Sequence, residues 1–433
     1  MKNDNYRPRL IDKKFQEYLE TFGAVCVEGP KWCGKTWSSE RQAKSVFYLA
    51  SPENNFANRM LARLAPEEVL DGDLPRLLDE WQEVPELWDA VRFMVDRRKG
   101  ETGQFILTGS ATPVRKGILH SGAGRIGRLR MHPMSLLESG DSTGRVSLEE
   151  LCHNRLKTVK VPKITLEHLA ELIIRGGWPG VLDKPLKSAM RLNEQYIRAV
   201  LDEDIQKLDK VKRNTHKIEL LLRSLARNES SLATNRTLKN DIKEVDNEDV
   251  DVETVATYLD IFARLFITAN QKPYSTRLRS SVRVRQGEKH HFADPSLAAA
   301  LLGTTPQQLM KDLETFGLLF EALAERDLGI YADYFDGDLY HYRDYQDKEI
   351  DAIVTHPDGA WLAAEIKLGF AQAEEAAESL LAMRDAMVAE GKEPPTALAV
   401  IVGLGEMAFT LENGVHIVPL TALGVEQSVV SSE

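Results

Sequence analysis

An α/β protein is expected, founded on a parallel sheet covered by helices on both faces, and three observations predict it. From residue 23 to about residue 140, short apolar runs alternate with helical stretches at the spacing of strand–helix–strand units. The first apolar run, Gly23 to Val27, passes directly into a glycine loop, Gly29-Pro30-Lys31-Trp32-Cys33-Gly34-Lys35-Thr36. A later run, Arg76-Leu77-Leu78, ends in two adjacent carboxylates, Asp79-Glu80, as a buried parallel strand does when its C-terminal end serves a site.

In chain order, residues 1 to about 20 give an amphipathic stretch, Ile11 to Leu19, behind Tyr6-Arg7-Pro8-Arg9-Leu10. Strand Val25–Val27 follows, then a helix from Thr36, strand Val46–Leu49, a helix from Glu53 to Leu64, strand Leu77–Asp79, helix Glu86–Arg97 and strand Phe105–Leu107. A last strand follows Gly124-Arg125 and runs on towards Ser135, with the domain ending at about 140 in a Gly- and Ser-rich stretch.

The glycine loop has a chemical reading. Gly29 and Gly34 let the backbone of Gly29, Pro30, Lys31, Trp32, Cys33 and Gly34 curl around phosphate oxygens, and the N-terminus of the next helix adds partial positive charge. Lys35 is expected to bridge the β- and γ-phosphates of ATP, and the Thr36 hydroxyl to ligate Mg²⁺. Asp79 is then placed for the water shell of that Mg²⁺ and Glu80 for polarising the attacking water. Thr108 and Ser110, at the tip of the strand beside the acids, are candidates to sense the γ-phosphate.

Composition narrows the rest. A net charge of −11 gives no global basic footprint, so any nucleic-acid contact has to be a local patch. Three cysteines, Cys26, Cys33 and Cys152, make neither a disulfide framework nor a Cys-x-x-Cys metal pair, which fits a reducing cytoplasm. Met1 to Lys14 has no apolar core of a secretory signal, and nowhere do 18 uncharged apolar residues stand together, so no membrane partner is expected.

Residues 141–215 read as a helical connector broken at Arg175-Gly176-Gly177-Trp178-Pro179-Gly180, with three adjacent acids, Asp202, Glu203 and Asp204, on a charged helical turn. Residues 216–296 give a helix, a short helix, a long helix from Val252 to Phe266 and a strand from Phe266 to Asn270, the order of a winged helix. The basic run that follows includes Arg277, Arg279, Arg283, Arg285 and Lys289, and is the best candidate for phosphate contacts with DNA or for docking on acidic protein surface.

Residues 297–425 form a last α/β region, and 426–433 a disordered tail. A helix carries Glu321; a hairpin turning at His356-Pro357-Asp358-Gly359 joins a strand with Asp351 to one with Glu365 and Lys367. Glu365 and Lys367, two apart on a strand, share a face, and Asp351 can reach the same side. Two or three carboxylates there can hold a divalent cation, with Lys367 polarising water or steadying a phosphate.

Taken together, the chain resembles the large prokaryotic family of AAA-like P-loop ATPases that carry a C-terminal domain of unknown function. The resemblance rests on Gly29–Thr36, on Leu78-Asp79-Glu80-Trp81-Gln82 followed by Pro85, on Phe105-Ile106-Leu107-Thr108-Gly109-Ser110, on Gly124-Arg125 with Pro133-Met134-Ser135, and on Gly176-Gly177-Trp178-Pro179. It implies a restriction-endonuclease-like C-terminal fold represented by Glu321, Asp351, Glu365 and Lys367. It also implies an arginine presented to a phosphate, in cis or from a neighbouring copy, with Arg125 and Arg128 as candidates. Trp81 departs from the family's small or aliphatic residues at that position.

Two functions compete. One is an ATPase that hydrolyses ATP with Mg²⁺ to control a nuclease-like, DNA-binding C-terminal domain. The other is a non-hydrolysing nucleotide switch that recruits a protein partner, or a second copy, through an inactive nuclease-like fold. A P-loop kinase is weaker, because the Asp79-Glu80 pair suits water activation and no Arg-rich lid follows.

Overall fold

The computed structural model describes residues 6–111, 120–207, 214–246, 250–275, 287–343 and 348–426. The chain divides into two compact units, one of residues 1–133, 199–213 and 258–267, the other of residues 134–198, 214–257 and 268–433. The segment expected as a helical connector is therefore shared between them, and its last part, 199–213, counts with the first.

The first unit is the expected alternation. Helix α1 (Ile11–Thr21) precedes β1 (Ala24–Glu28), α2 (Lys35–Gln42), β2 (Ser45–Tyr48), α3 (Glu53–Leu64), α4 (Pro66–Leu70), β3 (Arg76–Asp79), α5 (Leu87–Arg97), β4 (Phe105–Gly109) and β5 (Ile126–Arg130). All five strands are parallel, in the order β2-β3-β4-β1-β5. Strand β4 thus separates the strand feeding the glycine loop from the strand bearing the acids, and all three deliver their C-terminal ends to one edge of the sheet.

Strands β1 and β4 are buried along almost their whole length because helices cover them, which is why they read as continuous apolar runs. Ala24, Cys26, Leu78, Phe105 and Leu107 pack into one cluster with Trp81, Trp88 and Val91. Trp81, unusual by the family's pattern, is 1% exposed and lies 5.0 Å from Trp88 between ring centroids. Such a pair contributes about 0.5–1.5 kcal/mol beyond the area it buries. Trp81 is a packing residue.

The second unit holds a two-stranded pair, β6 (Val146–Ser147) beside Leu423–Gly424, and an eight-stranded mixed sheet. The strands of that sheet are β7 (Val159–Lys160), β8 (Lys272–Pro273), β9 (Asp338–Arg343), β10 (Glu349–Thr355), β11 (Trp361–Lys367), β12 (Ala397–Val402), β13 (Met407–Thr410) and β14 (His416–Pro419). Their order is β7-β13-β14-β12-β11-β10-β9-β8. Strands β9, β10 and β11 are antiparallel neighbours, whereas β12 joins β11 in parallel after the crossover helix Ala373–Ala389. Helix Leu313–Tyr334 packs against β9, β10 and β11 and buries Phe316, Leu319, Phe320 and Leu323.

The early part of this unit is tied to the same helix by buried polar groups. Ser135 caps the short helix α6 (Leu136–Ser139) in a reciprocal box with Glu138. Asp327 accepts from the backbone N–H of Leu136 at 2.9 Å, and Arg326 joins Asp327 to Asp294. Gly177 donates to Asp294 at 3.0 Å, and any side chain there would place its Cβ 2.0 Å from the Met134 carbonyl oxygen. The Gly176-Gly177-Trp178 break is thus a close approach of two backbones.

The helices expected for a winged helix are present at Thr215–Arg227, Asn235–Asp246 and Val252–Arg264. The strand expected from Phe266 to Asn270 is not. Phe266 adopts a left-handed conformation (φ 55°), which breaks an extended run, and only single bridges form, Thr268 with Phe292 and Gln271 with Lys289. Arg277, Arg279, Arg283, Arg285 and the tail beyond Glu426 lie outside the described residues.

Candidate nucleotide site and a buried acidic cluster

The glycine loop leaves β1 and closes on the N-terminus of α2. Gly34 is left-handed (φ 103°), and a Cβ on Gly29 would lie 2.2 Å from the Met131 carbonyl oxygen. Both glycines are therefore required by backbone geometry. Lys35 is 5% exposed, and its ammonium folds back over its own loop, donating to the carbonyls of Gly29 at 3.0 Å and Pro30 at 2.7 Å. Arg9 staples the loop from outside it, donating to the carbonyls of Cys33 and His132, each at 2.8 Å. Lys31 points elsewhere and pairs with Asp204, the last of the three adjacent acids. Trp32 is left-handed and partly exposed.

Asp79 stands at the end of β3 and accepts two hydroxyl hydrogen bonds on one oxygen, from Thr36 at 2.9 Å and from Thr108 at 2.7 Å. The two oxygens expected to serve Mg²⁺ are thus hydrogen-bonded neighbours, a donor set of the hard kind that ion takes. Glu80 is a non-glycine residue in the left-handed region (φ 59°), its N–H donating to Thr108 at 3.1 Å. Its carboxylate accepts from Ser110 at 3.2 Å and, closely, from Gln82, which also reaches Ser110 at 3.3 Å. Thr36, Asp79, Glu80, Thr108 and Ser110 therefore converge at one edge of the sheet.

The two arginines do not join them in this chain. Arg125 precedes β5, whose first residue pairs with Ala24, so it sits at the opposite end of the parallel sheet, bound to Asp96 at 2.9 Å. A role for Arg125 at its own phosphate site is corrected by that placement. Arg128 lies in mid-strand opposite Cys26; it pairs with Glu28 at 2.8 Å and covers Trp88 at 4.9 Å. Burial pushes the Glu28 carboxyl up, opposed by Arg128 and Arg130. Arg128 is engaged with the base of the glycine loop.

In the second unit the hairpin register, Ala352 opposite Ala364, sets Asp351 beside Glu365. Asp351 accepts from the Ile366 N–H at 2.7 Å, and Lys367 reaches Glu365 at 2.6 Å and Asp351 at 3.3 Å. Burial, then the Asp351 charge, pushes the Glu365 carboxyl up to about 7. The same two causes push Glu321 up to about 8.

Glu321 turns to a partner the sequence did not reveal. Lys289 is 1% exposed; its ammonium contacts Glu321, sits 3.1 Å from Glu325 and 4.0 Å from Glu349. Burial opposes its charge, but Glu325 and Glu321 outweigh that and raise it. Lys289 is thereby removed from the expected DNA-contacting run, since a side chain so enclosed cannot reach a phosphate backbone. Beyond Glu325 the chain of charges continues through His291 (3.0 Å) to Glu229 (3.1 Å). Burial opposes the His291 charge, yet Glu325 and Glu229 hold it up at about 9.

With this geometry in place, comparison with known proteins matches three segments of the chain to family models. Residues 21–139 match the family model of an AAA domain. Residues 166–308 match a domain of unknown function (DUF8612), and residues 316–423 another (DUF4143). No curated protein matches the sequence. Similar solved structures include the Walker-type ATPase PABY2304 of Pyrococcus abyssi, 14% identical, with a TM-score of 0.43 over 67% of this chain and 94% of that one. Another is the ORC1 protein of Aeropyrum pernix in complex with DNA, 14% identical, with a TM-score of 0.26 over 72% of this chain and 96% of that one. Those scores are too low to bear on function.

The AAA domain is a P-loop NTPase fold, and the match supports an ATPase. Sequence reasoning gave no role to Gln82, although it stands in the Leu78–Gln82 run, or to Arg9, which lies in the polar segment before α1 and outside the matched residues. In the second unit Glu325 lies four residues beyond Glu321, one turn along the same helix face, a spacing that could have signalled a paired role.

Proposed function

We propose that the AAA domain hydrolyses ATP and that its nucleotide state controls the C-terminal α/β unit, a restriction-endonuclease-like fold that engages DNA. The observation that carries the ATPase half is the convergence of Thr36, Asp79, Glu80 and Ser110 beside a loop that Gly29 and Gly34 alone can form. Thr36 and Asp79 would hold Mg²⁺, which neutralises charge on the phosphates. Lys35 leaves the Gly29 and Pro30 carbonyls for the β- and γ-oxygens. Glu80 accepts a proton from the attacking water, with Ser110 and Gln82 fixing its carboxylate.

A second reading is favoured by one observation, the Lys289 ammonium among Glu321, Glu325 and Glu349. A resident cation there suits a binding platform more than a metal-dependent nuclease. The two readings part on steady-state phosphate release measured with and without DNA. Release stimulated by DNA supports the first; tight ATP binding without release, in either condition, supports a switch that recruits a protein partner or a second copy.

A further inference from the structure

A different cluster, at the turn between β10 and β11, is used by neither reading. His153 ends helix α7 (Leu148–Cys152), while His356 and Asp358 belong to the hairpin turn. One donor atom from each lies within 4.8 Å of the others. The His153 Nδ1 faces the Glu149 carbonyl oxygen at 2.8 Å. A carbonyl can only accept, so Nδ1 carries the proton and Nε2 is left with its lone pair unless a second proton binds. That Nε2 points at Asp358 Oδ2, 2.8 Å away.

His356 repeats the arrangement with its nitrogens exchanged. Its Nε2 faces a Glu149 carboxylate oxygen at 3.5 Å, and its Nδ1 faces Asp358 Oδ1 at 2.7 Å. The Asp358 N–H approaches that Nδ1 at 3.3 Å, as towards a lone pair. Each ring thus has one nitrogen oriented by an oxygen of Glu149, one from its backbone and one from its side chain, and the other nitrogen aimed at a single carboxylate. His153 has the outer hydrogen bond that orients histidine metal ligands, and His356 has the Glu149 carboxylate 3.5 Å away as its counterpart.

We propose that His153 Nε2, His356 Nδ1 and the Asp358 carboxylate bind one divalent transition-metal ion of the zinc type, with water completing the shell. Two imidazoles and one carboxylate suit zinc, with nitrogen ligands at about 2.0–2.1 Å and four-fold coordination. Tetrahedral ligands at that length stand about 3.3 Å apart. The present separations, His153 Nε2 to Asp358 Oδ2 at 2.8 Å and His356 Nδ1 to Asp358 Oδ1 at 2.7 Å, are to different oxygens, so the oxygen that binds the ion opens from its partner nitrogen by about 0.5 Å, which the partly exposed turn permits. The ion clips α7 to the hairpin whose strands bear Asp351 and Glu365. Asp358 also accepts from the Ala360 N–H at 2.9 Å, which keeps the turn formed when its charge is removed.

The test uses the full-length protein, stripped by chelator and free of nucleotide, titrated with Zn²⁺ by calorimetry and with Co²⁺ by visible absorption. One ion per chain is expected, a cobalt spectrum of tetrahedral intensity, and a melting temperature raised by Zn²⁺. His153→Ala and Asp358→Asn should each weaken binding at least tenfold and remove the tetrahedral spectrum, while Asp351→Asn leaves both unchanged. Binding that survives His153→Ala and Asp358→Asn, or that is lost in Asp351→Asn, overturns the proposal. So does an absence of uptake by the wild type, which would leave a hydrogen-bonded His–Asp–His clasp.

Discussion

Each unit keeps a buried lysine, and the two arrangements are opposites. In the AAA domain Lys35 rests on the neutral carbonyls of Gly29 and Pro30, while Asp79 and Glu80 are held by the hydroxyls and amide of Thr36, Thr108, Ser110 and Gln82. In the C-terminal unit Lys289 is matched directly to Glu321 and Glu325, and Lys367 to Glu365 and Asp351. Neutral partners are exchanged for a ligand's charge at little cost. Charged partners in a buried setting are not, because separating them strands an ion away from water. The first arrangement suits turnover and the second suits a fixed element, which is why the second reading of function remains worth testing.

The largest effect should come from breaking the fixed pair. Lys289→Met leaves Glu321 and Glu325 enclosed without their cation and should lower the stability of the folded chain by about 3–5 kcal/mol, read from the chemical-denaturation midpoint. Mg²⁺ or Mn²⁺ should then raise the melting temperature of the variant more than that of the wild type. A neutral Lys289→Met would mean that the cluster is not held by charge and would erase the contrast.

Glu80→Gln should lower phosphate release by a factor on the order of 10² or more while ATP still binds, the size of a lost general base. Equal turnover in the two proteins would take the base away from Glu80. Lys35→Ala should cost ATP affinity by a factor on the order of 10², near 3 kcal/mol, yet lower stability by only about 1 kcal/mol, because it removes a charge from carbonyls and not from carboxylates. A loss of stability matching that of Lys289→Met would show that the two lysines are not opposites.

Much of the first site was legible because a phosphate loop fixes residue type and spacing together. Gly29 and Gly34 are dictated by local backbone geometry, Lys35 and Thr36 follow them at fixed spacing, and Asp79 and Thr108 stand at strand ends that the alternation placed. Whether Arg125 lies at the phosphate end was not legible, since the sequence does not tell whether the strand after it joins the sheet parallel or antiparallel. Lys289 was misread for a related reason. Its neighbours in sequence are basic and polar, but its backbone bridges to Gln271 and aims the side chain inward. The hairpin with Asp351, Glu365 and Lys367 was legible from alternation and the Asp-Gly turn, whereas Glu325, His291 and Glu229 come from distant segments and share no spacing with it. The His153, His356 and Asp358 cluster was hidden likewise, 203 positions separating the two histidines (356 − 153).

The smallest effect tests the C-terminal cluster through pH. Glu365 and Glu321 have folded-state values raised to about 7 and about 8 from 4.5, by burial and by the Asp351 charge. A carboxyl raised on folding binds its proton more tightly in the native state than in the unfolded chain. Its contribution is fully present below the unfolded value and is lost as pH rises through the folded one. Stability should therefore fall between about pH 5 and about pH 8, by on the order of 2 kcal/mol for one such group. Glu365→Gln, which cannot ionise, should flatten part of that slope while keeping the shape of the side chain. Denaturation midpoints across that pH range decide it: a slope unchanged by Glu365→Gln would mean that the glutamate is ionised throughout, with Lys367 alone sufficient to neutralise it.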